Sequence, residues 1–151
     1  MSNELVIGCL ERIKERITEN IRTSGEWASG KTAESMRIEE TERGGRLIGR
    51  PDFWSLEEGS EPSPLHKYPA NFQQIIYDWM EAKGIAPSDQ YEHVTVAGSI
   101  AWYIRKHGTR LYREGGRQDM YSNVIDEEVA NLKKTIAAEI ISTLAYTIKT
   151  K

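Results

Sequence analysis

Apolar residues recur at helical spacing along both ends of this chain, so any fold must bury two long stripes that lie far apart in sequence. From about Asn3 to Thr23, Leu5 or Val6, Leu10, Ile13, Ile17 and Ile21 fall on one helical face. Glu11, Lys14, Arg16, Glu19 and Arg22 fill the remainder with mixed signs, and Ser24-Gly25 supplies a stop. From about Ser122 to Lys149 a second run carries Val129, Leu132, Ile136, Ile140, Leu144 and Ile148. Ser122 or Asn123 can cap it. Asp126, Glu127 and Glu128 suit its positive N-terminal end, and Lys149 and Lys151 its negative end.

The middle of the chain changes period. Met36 to Glu42 alternates, with Met36, Ile38 and Glu40 opposed to Arg37, Glu39 and Thr41. Gly44-Gly45 and then Arg46 to Gly49 follow, which predicts a hairpin around a Gly-Gly turn. Pro51 can start a short helix over Asp52 to Glu58 that Gly59 ends. Ser60 to Tyr68, with Pro62, Ser63 and Pro64, reads as a loop. A helix from Pro69 or Ala70 to Lys83 places Phe72, Ile75, Ile76, Trp79 and Met80 on one side, and Gly84 caps it. Another, Val94 to Lys106, carries Val96, Ile100, Tyr103 and Ile104, and Gly108 to Tyr121 is irregular and basic. The expected class is α+β: long N- and C-terminal helices packed on a small antiparallel sheet, with short helices inserted, in one domain over residues 1–151.

Length and composition agree with one domain that has a real core: 151 residues, 38% hydrophobic and 28% charged. A formal net charge of -3 gives no bulk attraction toward nucleic acid or anionic lipid. Cys9 is the one cysteine, so no intrachain disulfide forms. Charges interrupt the short apolar stretch at the N terminus, unlike a signal peptide, and no window approaches a membrane span. A protein assembled in the cytosol, with no membrane partner, is expected.

Gly25 to Thr32 reads GEWASGKT and satisfies the phosphate-loop pattern G-x-x-x-x-G-K-[ST] in full. That loop needs a strand entering it, a helix leaving from the Lys-Thr end, and several parallel strands around it, so that backbone N–H groups converge on the phosphates. Here a helical segment precedes the motif and a hairpin follows within a few residues. Val124-Ile125-Asp126, the nearest candidate for a magnesium-side strand, opens a long helix. A nucleotide enzyme using Lys31 and Thr32 is the weaker reading, and Gly25 and Gly30 serve as loop glycines.

No catalytic group, cofactor or metal is expected. His66, His93 and His107 stand apart with no ligand spacing between them. Glu57, Glu58 and Glu61 cluster with Asp52, but without a nucleophile or base partner they read as a solvated acidic rim. Arg105, Lys106, Arg110, Arg113 and Arg117 form a positive run broken by Glu114, suited to phosphates or to an acidic neighbour. A DNA reader built on the Val94–Lys106 helix lacks helix-turn-helix spacing. Trp54, Trp79, Trp102, Tyr103 and Tyr112 read mostly as core, with Trp54 placed for partner contact.

The order of these landmarks resembles the small tailed-bacteriophage proteins of the head–tail connector, or neck and tail-completion, family, including prophage minor tail proteins. The resemblance covers about residues 5 to 148. It is carried by the N-terminal helix, then Ser29-Gly30-Lys31 and Ser35-Met36 before the first strand. Ile48 to Trp54 and the Leu56-Glu57-Glu58-Gly59 turn come next. Pro62 and Pro64, Ile76, Trp79, Met80, Lys83 and Gly84, then Ile100 to Ile104 with Gly108-Thr109, and the long last helix complete the series. Ala28-Ser29 stand where the family usually shows Asp or Thr, and Arg-Leu-Tyr follows Gly-Thr in place of a Pro-Phe run. The resemblance implies a non-enzymatic virion protein, a homo-oligomeric ring between portal and tail or at the upper tail. The ring would be assembled in the bacterial cytoplasm, would touch portal, adaptor or tail-tube proteins, and would enclose the DNA path. On that reading Phe53, Trp54, Leu56, Glu58 and Gly59 form a subunit or partner interface. Arg105, Lys106, Arg110, Arg113 and Arg117 form a lumen-facing or acidic-partner surface.

Overall fold

The computed structural model describes residues 3–26, 28–63, 65–87 and 92–149. In chain order the elements are α1 (Asn3–Thr23), α2 (Lys31–Glu34), β1 (Arg37–Thr41), β2 (Gly44–Ile48), α3 (Ser55–Glu58), α4 (Phe72–Lys83), α5 (His93–His107), α6 (Arg110–Arg113) and α7 (Ser122–Lys149). The class is α+β, with long terminal helices and one two-stranded antiparallel sheet. Pro64 and Lys151, both given roles above, lie outside the described residues, as does Trp27 of the GEWASGKT segment. Among the described residues no helix is long and apolar enough to cross a membrane.

α1 is the spine. Cys9, Ile13, Ile17 and Ile21, each four residues from the last, are buried together with Ala33, Met36, Met120 and Val124. Leu47, Phe53, Leu56, Tyr121 and Leu132 pack on this cluster. Each fully buried Ile contributes roughly 1.5–3 kcal/mol by leaving water. α7 runs antiparallel to α1. The Asn20 amide donates to the carbonyls of Asp119 and Met120 at 2.9 and 3.0 Å, Arg16 and Arg12 grip Glu128, and the Cys9 thiol donates to the Glu128 carbonyl at 3.6 Å. The apolar stripe of α1 is thus as expected, with Cys9 added to it as a small core residue.

The hairpin forms where expected, but its glycines do not make the turn. Thr41 pairs with Gly44 and Glu40 with Gly45, which leaves Glu42 and Arg43 at the tip. The glycines belong to β2 because α1 crosses there. A Cβ on Gly45 would stand 2.7 Å from Ile7 Cδ1 and 3.0 Å from Leu10 Cδ1. Close packing of helix on strand, rather than turn conformation, demands Gly45.

α4 and α5 form a second packing centre, where Ile76 and Met80 meet Ala97 and Ala101. The small alanines let the two helices approach, so they and not Tyr103 sit innermost on α5. Tyr103, Ile75 and Trp79, placed on buried faces by periodicity, are exposed. Several boundaries also shift. Residues 51–54 are turn, so α3 starts at Ser55; α4 starts at Phe72, after Pro69 and Ala70; and α6 lies within the segment expected to be irregular. The Ser60 carbonyl accepts from Thr109 N–H at 2.9 Å and the Arg105 carbonyl from Ser63 N–H at 2.7 Å, which ties the loop to the end of α5.

The largest departure is in α7. Its first half carries Val124 and Glu128 into the core, but residues 137–149 are exposed at every position. Ile140, Leu144 and Ile148, expected to face a core, face solvent instead. The cause is length. At about 1.5 Å per residue α7 spans ~42 Å and α1 ~31 Å. With Cys9 beside Glu128, α1 ends before α7 does.

Candidate functional site

The expected partner surface over residues 53–59 is joined to the root of α7 through one buried carboxylate. Glu57 Oε1 accepts from the backbone N–H groups of Met120, Tyr121 and Ser122 at 3.0, 2.7 and 2.9 Å, and Oε2 accepts from the Ser122 hydroxyl. The Glu57 carbonyl accepts from Arg117 N–H at 2.8 Å. A carboxylate at the N-terminus of a long helix satisfies donors that the helix leaves orphaned and meets the favourable end of its dipole. Glu57 is therefore a structural cap and not part of a solvated rim. Glu58 and Asp52 remain on the surface.

The other proposed contact residues divide. Glu58 is exposed; Phe53, Trp54 and Leu56 are half-buried; Gly59 is buried. Gly59 has φ 71, and a Cβ there would stand 2.4 Å from Tyr112 N and 2.5 Å from Thr109 Oγ1. Its space is filled by the chain itself, so in this structure it offers no outward surface. Phe53 packs at 5.7 Å from Tyr121, and Trp54 lies edge-on to His66 at 6.0 Å.

Phe53, Trp54, Tyr121, Leu10, Ile125 and Val129 wall an open apolar groove of about 480 Å³, floored by Ile13 and Ile17 of α1. On its other side Trp54 and Tyr121 also border a wider polar cleft of about 870 Å³ with Glu57, Glu58, Glu61 and Arg117 in its lining. The signal for the apolar groove was present in the sequence as a surplus of large apolar residues around Pro51, but only the crossing of α1, β2 and α7 assembles it.

The basic run is not one free patch. Arg110 pairs with Glu114 at 2.6 Å and Arg117 with Asp119 at 2.5 Å. Hydrogen bonding to Arg117 holds the Asp119 carboxyl below the usual range, and the same pairing raises Arg117. The other three cations lie over aromatic rings: Arg105 over Phe72 at 5.6 Å, Lys106 over Trp102 at 4.8 Å and Arg113 over Tyr103 at 5.2 Å. They keep their charge, and the rings hold their direction.

Among the described residues, the GEWASGKT segment makes no phosphate cradle. It leaves α1, turns at Gly30 (φ 77) and enters α2, a single turn of four residues. The two strands are antiparallel and both follow it, whereas the phosphate loop needs a strand before it in a parallel sheet. The adjacent groove of about 540 Å³ has Lys31 and Arg50 in its wall but also Glu26, Asp52 and Asp78, a balance that repels polyphosphate.

The histidines pack with aromatic rings or carboxylates: His66 at 4.6 Å from Tyr68, His93 at 3.4 Å from Glu81, His107 at 4.5 Å from Tyr103. Among the described residues no group of His, Cys, Asp and Glu is arranged to hold a metal ion. Comparison of the chain with protein-family models, with curated proteins and with solved structures gives no match.

Proposed function

We propose that this chain is a structural part of a tailed-phage or prophage particle, one subunit of a connector, neck or tail-completion ring, with no catalysis of its own. What supports the reading is the landmark order from the N-terminal helix through Ser29-Gly30-Lys31, the Leu56–Gly59 turn, Gly108-Thr109 and the long last helix. It is supported as well by apolar surface left open on α7 and around Phe53 and Trp54, since large open patches mark assembly surfaces. Portal, adaptor or tail-tube proteins are the partners, and the virion is its place. Arg105, Lys106 and Arg113 face the lumen in such a ring, where they meet DNA without reading its sequence.

The test is the composition of purified particles from a host that carries the gene. The chain is expected in full particles, and its deletion is expected to leave filled heads unjoined to tails. A chain abundant in the lysate but absent from washed particles would sink the reading.

A further inference from the structure

We propose that the end of α5 and the adjoining α6 bind a single strand of nucleic acid, with bases stacked on Trp102 and Tyr103 and phosphates held by Lys106 and Arg113. Both rings are exposed, at 59 and 43%. Both border one shallow depression of about 660 Å³, together with Gln73, Thr95, Gly98 and Ser99. No charged side chain is among its described lining residues. Each ring carries its own cation: Lys106 Nζ lies 4.8 Å from the Trp102 ring, and the Arg113 guanidinium 5.2 Å from that of Tyr103. Arg113 Nη1 also donates to the Tyr103 hydroxyl at 3.3 Å.

Charge points to a polyanion. Residues 93–113 hold four Lys or Arg and no acid, a formal +4; the rest of the chain holds 16 basic and 23 acidic side chains, a formal -7. The carboxylates that pair with this segment are engaged elsewhere. Glu81 lies 3.4 Å from His93 at the opposite end of α5, and Glu114 pairs with Arg110 at 2.6 Å. Lys106 and Arg113 are left to the rings, with their charge open to phosphate.

The rings select which polyanion. A ring face is negative, so it turns away the carboxylates of an acidic protein, whereas a base stacks on it. In a duplex the bases are stacked on one another, and only an unpaired strand offers its base faces to a side chain. A run of cations alone suits any polyanion. A cation beside each open ring suits a strand that presents phosphate and base together. The inference shares Lys106 and Arg113 with the lumen surface above, but it stands on rings and charge and does not rest on the virion reading.

The test is fluorescence anisotropy of labelled oligothymidylate and oligouridylate of about twelve nucleotides, titrated with the full-length chain at low salt. Micromolar binding of at least one is expected, and the tighter of the two identifies DNA or RNA as the source. Trp102→Ala should weaken binding about tenfold or more, while Trp102→Phe, which keeps a ring, should retain most of it. Lys106→Gln should reduce the salt slope by about 0.7. Circular dichroism checks that each variant keeps its helicity. The proposal is overturned by no binding at tens of micromolar chain or by a folded Trp102→Ala that binds as wild type does. Duplex DNA of the same length, or polyglutamate, bound as tightly as the single strand also overturns it. Duplex binding of that strength leaves the lumen reading standing, and no outcome here touches the particle-composition test.

Discussion

Glu57 caps the helix that Ser122 begins: its Oε1 accepts the Ser122 N–H at 2.9 Å across 65 residues of sequence, while Oε2 takes the Ser122 hydroxyl. One side chain thus fixes the 53–59 turn to the root of α7, and so fixes Trp54 and Tyr121 on the wall of the groove.

Glu57→Ala should remove the acceptor for three buried or half-buried N–H groups and cost about 1–3 kcal/mol. Glu57→Gln, which keeps the shape, should cost less. Urea unfolding measures both. Equal stability of Glu57→Ala and wild type would show that the cap carries no energy.

Glu128 gives the fold a sensitivity to acid. Hydrogen bonds from Arg12 and Arg16 at 2.9 Å hold its carboxyl below the usual glutamate range. Such a carboxyl binds its proton less readily folded than unfolded. Its contribution is complete above the ordinary glutamate range and is lost as pH falls toward the lowered folded value. Glu128→Gln should cost about 1–3 kcal/mol near neutral pH. The gap between variant and wild type should close on acidification from about pH 5 downward. A gap independent of pH would refute the pairing as its source.

Gly59 and Gly25 both have positive φ, 71 and 80, but only Gly59 has backbone pressed against it. Gly25→Ala should cost about 1–2 kcal/mol from conformation alone. Gly59→Ala adds a clash with Tyr112 N and should cost distinctly more, by thermal or urea unfolding. Equal costs would mean that the contact relaxes freely.

Lys31→Ala should leave stability within about 0.5 kcal/mol, since Lys31 is an exposed side chain on one turn of helix. Calorimetric titration with ATP or GTP should give no saturable heat for either protein. Millimolar or tighter binding that disappears in the variant would restore the nucleotide reading.

Much of the architecture was legible because it is local. α1 spans Asn3–Thr23 as its apolar period and Ser24-Gly25 stop require, and α7 begins at Ser122, where Ser122 or Asn123 offers a cap. The candidate site was less legible. Trp54 was placed for partner contact by its setting, but Glu57 looked like surface charge, because nothing in residues 52–61 reveals that three N–H groups from residues 120–122 converge on it. The basic run, broken only by Glu114, read as one surface because the sequence does not show which arginines turn back to Glu114 and Asp119 or which lie on rings.

The sequence by itself determined helix, hairpin and stop signals, since periodicity and glycine placement act within a few residues. Only the tertiary structure decided what those elements cover. The glycines moved from turn to strand because α1 needed room for Ile7 and Leu10. Ile140, Leu144 and Ile148 were left in solvent because the antiparallel register of Cys9 and Glu128 ends α1 before α7. Period tells which face of a helix is apolar, whereas relative length and register decide how much of that face another element can reach.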